Sequence, residues 1–266
     1  PIKSSAASDV YKRQIMIGGY VLFSMIYGSG TNVFAALIVA MVVCTVLGVV
    51  IEKVAYKPLR EASSLAVLIT AIGVSILLQN IAQLIFTSQP KMFRNPIKLG
   101  SVKMFGANIE GSTILMIVLG IIIVVALSIF IRKTKTGRAM LAVSEDKDAA
   151  KLMGINVNTT ITITFAIGSA LAALASLLMF NAYPSLIPTS GSMPGIKAFV
   201  AAVFGGIGSI PGAMVGGIVL GIIEVLSGAY IPNGTKLANA IVFVVLIVVL
   251  IFKPTGLFGK KIKEKV

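Results

Sequence analysis

The densest chemistry in this sequence lies in a polar stretch between two charge-free runs. Residues 132–155 hold six Lys/Arg and three acids, whereas 113–131 and 160–180 hold none. Inside the stretch the residues predict a short helix over 145–153. Ser144 suits the N-cap, Glu145 and Asp146 place negative charge in the first turn, Lys151 falls in the last, and Gly154 suits the position after the helix. Val143, Ala149, Ala150, Leu152 and Met153 give that helix an apolar side. A surface loop without a partner has little reason to keep one. The expected chemistry is recognition: a second protein docks here, on the face where the basic residues lie.

Other chemistries are poorly served. The sequence has no His and a single cysteine, Cys44, so neither a His-based acid–base site nor an intrachain disulfide is available. No Gly-rich loop ending in Lys-Ser/Thr occurs, so ATP is not bound by that device. The apolar runs lack paired carboxylates and a nucleophile–base pair, which disfavours an intramembrane enzyme. Apart from Glu224 they carry no ionisable group of the kind an ion-coupled carrier keeps in its spans. A secondary carrier or channel is therefore the weaker alternative to a transporter powered by another subunit, and dependence on ATP or on an ion gradient separates the two. Gln79, Asn80 and Gln83 sit among Leu and Ile, where an uncompensated amide is costly. They are expected either to bond neighbouring helices near the outer interface or to face a water-filled path.

The elements that position these groups follow from hydropathy. Mean hydropathy is +1.00, and 57% of residues are apolar. Runs of roughly 20 apolar residues cross a hydrocarbon core of about 30 Å as helices. Five spans are expected at 33–51, 65–86, 113–131, 160–180 and 237–252, with a broken element at 196–227 and a short remnant at 15–27. The fold class is all-α: a polytopic α-helical membrane protein, with 15–266 as one transmembrane domain and 132–159 as its cytoplasmic loop. Residues 1–14 are polar, stop abruptly at Ile15 and resemble a translated library-adaptor tail, so they are expected to stand outside the fold, with a first helix missing. Lys and Arg total 23 against nine acids. They cluster between spans, which points to membrane orientation and anionic lipid rather than nucleic acid. Segments 52–60, 132–151 and 253–265 are assigned to the cytoplasm. Parity then places 88–111 outside, against the positive-inside tendency, because it holds Lys91, Arg94, Lys98 and Lys103.

Parity also requires 196–227 to begin and end on the same side. A re-entrant hairpin is expected, turning at Gly205-Gly206-Ile207-Gly208-Ser209-Ile210-Pro211-Gly212, where glycines permit positive φ and proline removes a donor. Its exposed backbone is tolerated only in protein or beside water, so this turn is expected to flank the translocation path together with Gln79 and Asn80. Gly208, Gly212 and Gly216, spaced at four, equally suit close helix packing. The triplets Ala71-Ile72-Gly73 and Ala166-Ile167-Gly168 hint at a parallel internal repeat.

Several of these stretches resemble the permease subunits of branched-chain amino-acid ABC importers, most closely the LivH type. They are Gly137-Arg138-Ala139 through Gly154-Ile155, Phe165-Ala166-Ile167-Gly168, Lys197 through Gly217, Glu52 through Arg60, and Lys253 through Gly259. The likeness covers essentially 15–259 in the family's order. It implies a bacterial inner-membrane transport subunit, not an enzyme, that works with a second permease subunit, cytoplasmic ATP-binding subunits and an extracytoplasmic substrate-binding protein. No cofactor would bind this chain; ATP and Mg would belong to the partners. By the same resemblance Glu145, Asp146, Ala149, Ala150, Leu152, Met153 and Gly154 form the ATPase-coupling helix. The importer loop pattern Glu-Ala-Ala-x-x-x-Gly occurs with Asp148 in place of Glu, and its later Leu-Pro is absent.

Overall fold

The computed structural model describes residues 2–60, 62–93, 100–104, 107–231, 234–253 and 255–259. These fall into two compact units, one of 1–122 with 129–195 and one of 123–128 with 196–266. Among the described residues five helices are long and apolar enough to cross a membrane: Val33–Leu59, Ser64–Phe86, Gly111–Lys133, Val157–Ala182 and Ile210–Tyr230; the expected span at 237–252 forms a shorter apolar helix, and Ile210–Tyr230 takes its place in the count. A polytopic α-helical architecture is what the charge-free runs require.

The first unit is built around α1 (Ile2–Phe23), which packs on α2 (Val33–Ile51), α3 (Ser64–Phe86) and α7 (Val157–Ala182). Close approach of α2 and α7 comes from small residues. Ala36, Ala40, Cys44 and Gly48 are buried along one face of α2 at four-residue spacing, the pattern that lets membrane helices meet without a solvent-driven force. A Cβ on Gly48 would collide with the Ser169 side chain. The opposing face of α7 buries Phe165, Ser169, Ala173, Ser176, Leu177 and Phe180. Large apolar side chains such as Phe34, Leu65, Ile69 and Leu84 point away from the unit, as lipid-facing positions should. α4 (Gly111–Lys133) contributes only Ser112 to the buried set.

Two expectations about the N-terminal region change. Ile15 is not a boundary, because α1 runs through it. Val10, Arg13 and Gln14 are buried, and Arg13 donates to Ser75 Oγ at 2.8 Å and to Ser192 Oγ at 3.1 Å. The remnant at 15–27 is thus the second half of a helix followed by a wider turn at Ser24–Gly28, and not a separate short segment. The repeat hint gains nothing from the structure. Gly168 packs on Tyr11, while a Cβ at Gly73 would meet nothing within 4 Å.

The described residues of the loop 88–111 include short strands. β1 (Lys91–Met92) pairs antiparallel with β4 (Ser185–Leu186), and β2 (Ser101–Met104) pairs with β3 (Ala107–Glu110). The β1–β4 pair fixes the C-terminal ends of α3 and α7 at the same end of this unit, as parity requires. Arg94 and Lys98, which carry part of that loop's basic character, lie outside the described residues.

The second unit is a hairpin of α8 (Ser192–Gly205) and α9 (Ile210–Tyr230), from Ile196 onward, closed by α10 (Gly234–Phe252). Val200, Ala201, Phe204, Leu220 and Val242 form its core. The expected hairpin is present, but it is longer than its proline-broken sequence suggests. Pro194 falls in the first turn of α8, and Pro211 sits at the start of α9, where a missing N–H costs nothing. The 21-residue α9 therefore extends about 31 Å at 1.5 Å per residue, a full span. Its turn is not sunk halfway: Leu257 and Phe258 N–H donate to the Phe204 and Gly205 carbonyls at 2.9 Å each, so it lies level with the far end of α10. Of the tail 253–265, residues 254 and 260–265 lie outside the described residues.

Candidate functional site

Two constellations of polar chemistry stand out, one in each unit. In the first unit the polar stretch folds as two helices, not one. α5 (Lys135–Glu145) ends where α6 (Lys147–Leu152) begins. The break falls at Asp146, whose extended backbone frees its carboxylate to accept from Asp148 N–H at 2.9 Å and Ala149 N–H at 3.0 Å. Asp146 is thus the N-cap expected of Ser144. Ser144 Oγ instead donates to the Leu141 carbonyl at 2.7 Å within α5, and Glu145 closes that helix. Thr134 caps α5 by accepting from Gly137 N–H at 3.0 Å. A Cβ at Gly137 would run into the backbone of Phe130 and Ile131, so only glycine fits the elbow after α4.

The far end of α6 matches the sequence. Gly154 has φ of +79°, and Ile155 N–H reaches back to the Ala150 carbonyl at 3.0 Å, which is a glycine-dependent helix stop. Ala150 is 3% exposed and anchors α6, whereas Leu152 and Met153 are 88% and 82% exposed. Ala149 is exposed as well. The resulting surface is a short helix end with two large apolar side chains in the open.

This surface stands at a braced end of the unit, which the sequence reading missed. Glu52, 0% exposed, accepts from Arg60 through Oε1 and from Thr162 Oγ1 through Oε2 at 2.7 Å. Arg60 also donates to Asn158 Oδ1. The C-terminal end of α2, the lead-in to α3 and the first turns of α7 are tied together by one carboxylate and one guanidinium. The pairing spans about a hundred residues of sequence, so nothing local signals it.

In the second unit the glycines expected to flank a path act first as packing residues. A Cβ on Gly205 would strike the Gly212 backbone, and one on Gly216 would lie 2.5 Å from the Ala201 carbonyl oxygen. Gly206 and Gly208 take φ of +107° and +92° in the turn. Ser209 caps α9 by accepting from Gly212 N–H at 3.1 Å, with Pro211 in that first turn. Of the glycines spaced at four, only Gly212 and Gly216 are on a helix. The amides belong to the first unit: Asn80 is exposed and donates to the Ile76 carbonyl on its own helix at 2.9 Å, Gln83 donates to Ser88 at 2.6 Å, and Gln79 is half-buried in α3. Glu224, read as the lone charge of its element, is paired. Lys197 Nζ on α8 donates to Glu224 Oε1 on α9 at 2.6 Å. The pair borders a cavity of about 190 Å³ whose walls include Ala201, Leu220, Gly221 and Val242. Among the described residues no group of His, Cys, Asp and Glu is arranged to hold a metal ion.

Residues 11–250 match the family model described as the permease component of branched-chain amino-acid transport systems. The chain is 42% identical to the high-affinity branched-chain amino acid transport system permease protein LivH of Salmonella typhimurium, an alignment covering 98% of this chain and 87% of that protein. The LivH protein of Escherichia coli K12 gives the same identity and coverage. The corresponding permease BraD of Pseudomonas aeruginosa is 40% identical, again over 98% of this chain and 87% of the relative. No solved structure matches.

Proposed function

The chain belongs to the branched-chain amino-acid transport permease family, and from that premise we propose that it forms the translocation path for branched-chain or related amino acids in a binding-protein-dependent ABC importer. It is a multi-pass membrane transport subunit, not an enzyme. Its place is the bacterial inner membrane. Its partners are a second permease subunit, cytoplasmic ATP-binding subunits carrying ATP and Mg, an extracytoplasmic substrate-binding protein and the surrounding lipid.

The observation that carries this reading is the end of α6. Leu152 and Met153 stand almost fully in the open, on a helix fixed by the Asp146 cap and stopped by Gly154. Two large side chains held out on a rigid, capped turn suit a groove on a soluble partner. Glu145, Asp146 and Ala149 border the contact, and Ala150 holds α6 to the body. The Glu52–Arg60 brace gives a push on α6 a stiff end to act on. The turn from Gly205 to Gly212 belongs at the inner mouth of the path rather than at mid-depth.

Vesicles holding this chain with its ATP-binding partners and binding protein should take up L-leucine when ATP is inside, and an ion gradient alone should drive nothing. Uptake that follows the gradient and ignores ATP would remove the proposal. Gly154→Val tests the coupling end directly. A β-branched residue is strained at positive φ by about 1–3 kcal/mol, so ATP-driven uptake should fall about tenfold while membrane insertion is unchanged. Normal uptake and normal recovery of the ATPase with this variant would separate α6 from coupling.

Orientation is checked by single cysteines in a Cys44→Ser background. A cysteine at Asn108 should react from outside, and one at Lys135 only after permeabilisation. The same inside-only behaviour is expected at Lys261, which lies outside the described residues. A reversed pattern would place the β2–β3 hairpin in the cytoplasm and the docking surface outside.

A further inference from the structure

We propose that Lys197 and Glu224 form a subsite for the charged head of a free α-amino acid, with the adjoining cavity taking its aliphatic side chain. The inference rests on the transport reading above and goes further by naming the residues that meet the cargo.

A neutral α-amino acid carries an ammonium and a carboxylate on one carbon and no net charge. Lys197 Nζ and Glu224 Oε1, 2.6 Å apart, present the complementary pair on two facing helices. A ligand carboxylate can accept from the Lys197 ammonium while the ligand ammonium donates to the Glu224 carboxylate, giving two charge-assisted hydrogen bonds. No proton moves and no net charge is carried. The two side chains are 34% and 35% exposed, so the pair is not sealed inside the unit.

The rest of the cavity is apolar. Its walls include Ala201 on α8, Leu220 and Gly221 on α9, and Val242 on α10. The volume of about 190 Å³ exceeds the roughly 30 Å³ share of a single water, so a small solute has room. Glu224 is far along α9 from the Gly205–Ser209 turn, so the subsite lies toward the end where a binding protein would release its load.

A purely structural role explains less. A partly exposed ion pair contributes little to stability, and α8 and α9 are already locked by Gly205, Gly212 and Gly216. Charge inside a membrane element is costly enough to call for a use.

The test uses the whole transporter in proteoliposomes. Lys197→Met and Glu224→Gln should each cut L-leucine uptake about tenfold or more, the loss expected for one charge-assisted contact, with the assembled complex recovered in normal yield. The exchange K197E/E224K restores a pair with inverted polarity. It should stay defective if the pair reads the ligand, and recover if the pair is only a clamp. Gly221→Cys adds a direct readout, because a side chain there meets nothing within 4 Å. In a Cys44→Ser background L-leucine should slow alkylation of that cysteine, and 4-methylpentanoate, which lacks the ammonium, should not. Adding Glu224→Gln should abolish the protection. Normal uptake by the single variants, recovery in the exchange, or no protection by leucine would each overturn the subsite. If the unmodified transporter shows no ATP-driven uptake, the transport reading itself has failed.

Discussion

Replacing Arg60 with alanine should lower the thermal midpoint of the purified protein by about 10 °C and sharply reduce its recovery from membranes. The Glu52 carboxylate is fully buried and held by Arg60 and Thr162. Removing the guanidinium leaves a buried charge with one neutral donor, and breaking such a pair costs about 3–5 kcal/mol. At this chain length each kcal/mol shifts the midpoint by about 2–4 °C. The double variant E52Q/R60A should recover most of the loss, because the stranded charge is gone and an amide can still accept from Thr162. A single variant as stable as the parent would mean that water already solvates Glu52 and that the brace does not hold this end together. Uptake should follow stability here, since α5 and α6 pack on the same α7 that the brace secures.

The second large effect is expected at Gly216. Leucine there must displace backbone: the Ala201 carbonyl oxygen is 2.5 Å and the Gly205 nitrogen 3.0 Å from the Cβ position. Backbone cannot step aside as a flexible side chain does, so overpacking should exceed the usual 1–3 kcal/mol, roughly. G216L is expected to abolish uptake and to leave 196–259 open to protease. The neighbouring Gly217 is the control. Its Cβ would lie 3.8 Å from Ala201 Cβ, an ordinary contact, and alanine is preferred to glycine in a helix by about 1 kcal/mol. Gly217→Ala should therefore keep or slightly raise stability. Equal tolerance at both positions would show that α8 and α9 are not in tight register.

Much of the helical framework was legible because it depends on local composition. Long charge-free runs predict spans whatever their neighbours do, and α2, α3, α4 and α7 follow them closely. Gly154 was legible for a similar reason, since a left-handed stop after a capped turn is a local demand. The start of α6 was harder. Ser144, Glu145 and Asp146 all suit a helix N-terminus, and only the extended backbone at Asp146 decides among them. Proline misled where position within the helix mattered: Pro211 read as part of the turn but lies in the first turn of α9, so the hairpin is longer than expected. The ends of pairs far apart in sequence gave no local sign. Glu52 looked like one residue of a basic loop, because its partner Thr162 lies on another helix. The Lys197–Glu224 pair was not read from the sequence, where Glu224 stood as a lone charge. Once Gly205 faces Gly212 and Ala201 faces Gly216, the same antiparallel register carries Lys197 into the vicinity of Glu224.

The two amides that reach from Leu257 and Phe258 to the carbonyls of Phe204 and Gly205 have a consequence for biogenesis. The chain is made from its N-terminus, so α8 and α9 enter the membrane before the residues that satisfy the end of α8 exist. Until α10 has been synthesised and its far end has folded back, those carbonyls must borrow water or lipid headgroups. A nascent protein arrested just after α10 should therefore hold its hairpin loosely, and the quality-control proteases that patrol the membrane would meet their best substrate at that moment, late in synthesis rather than early.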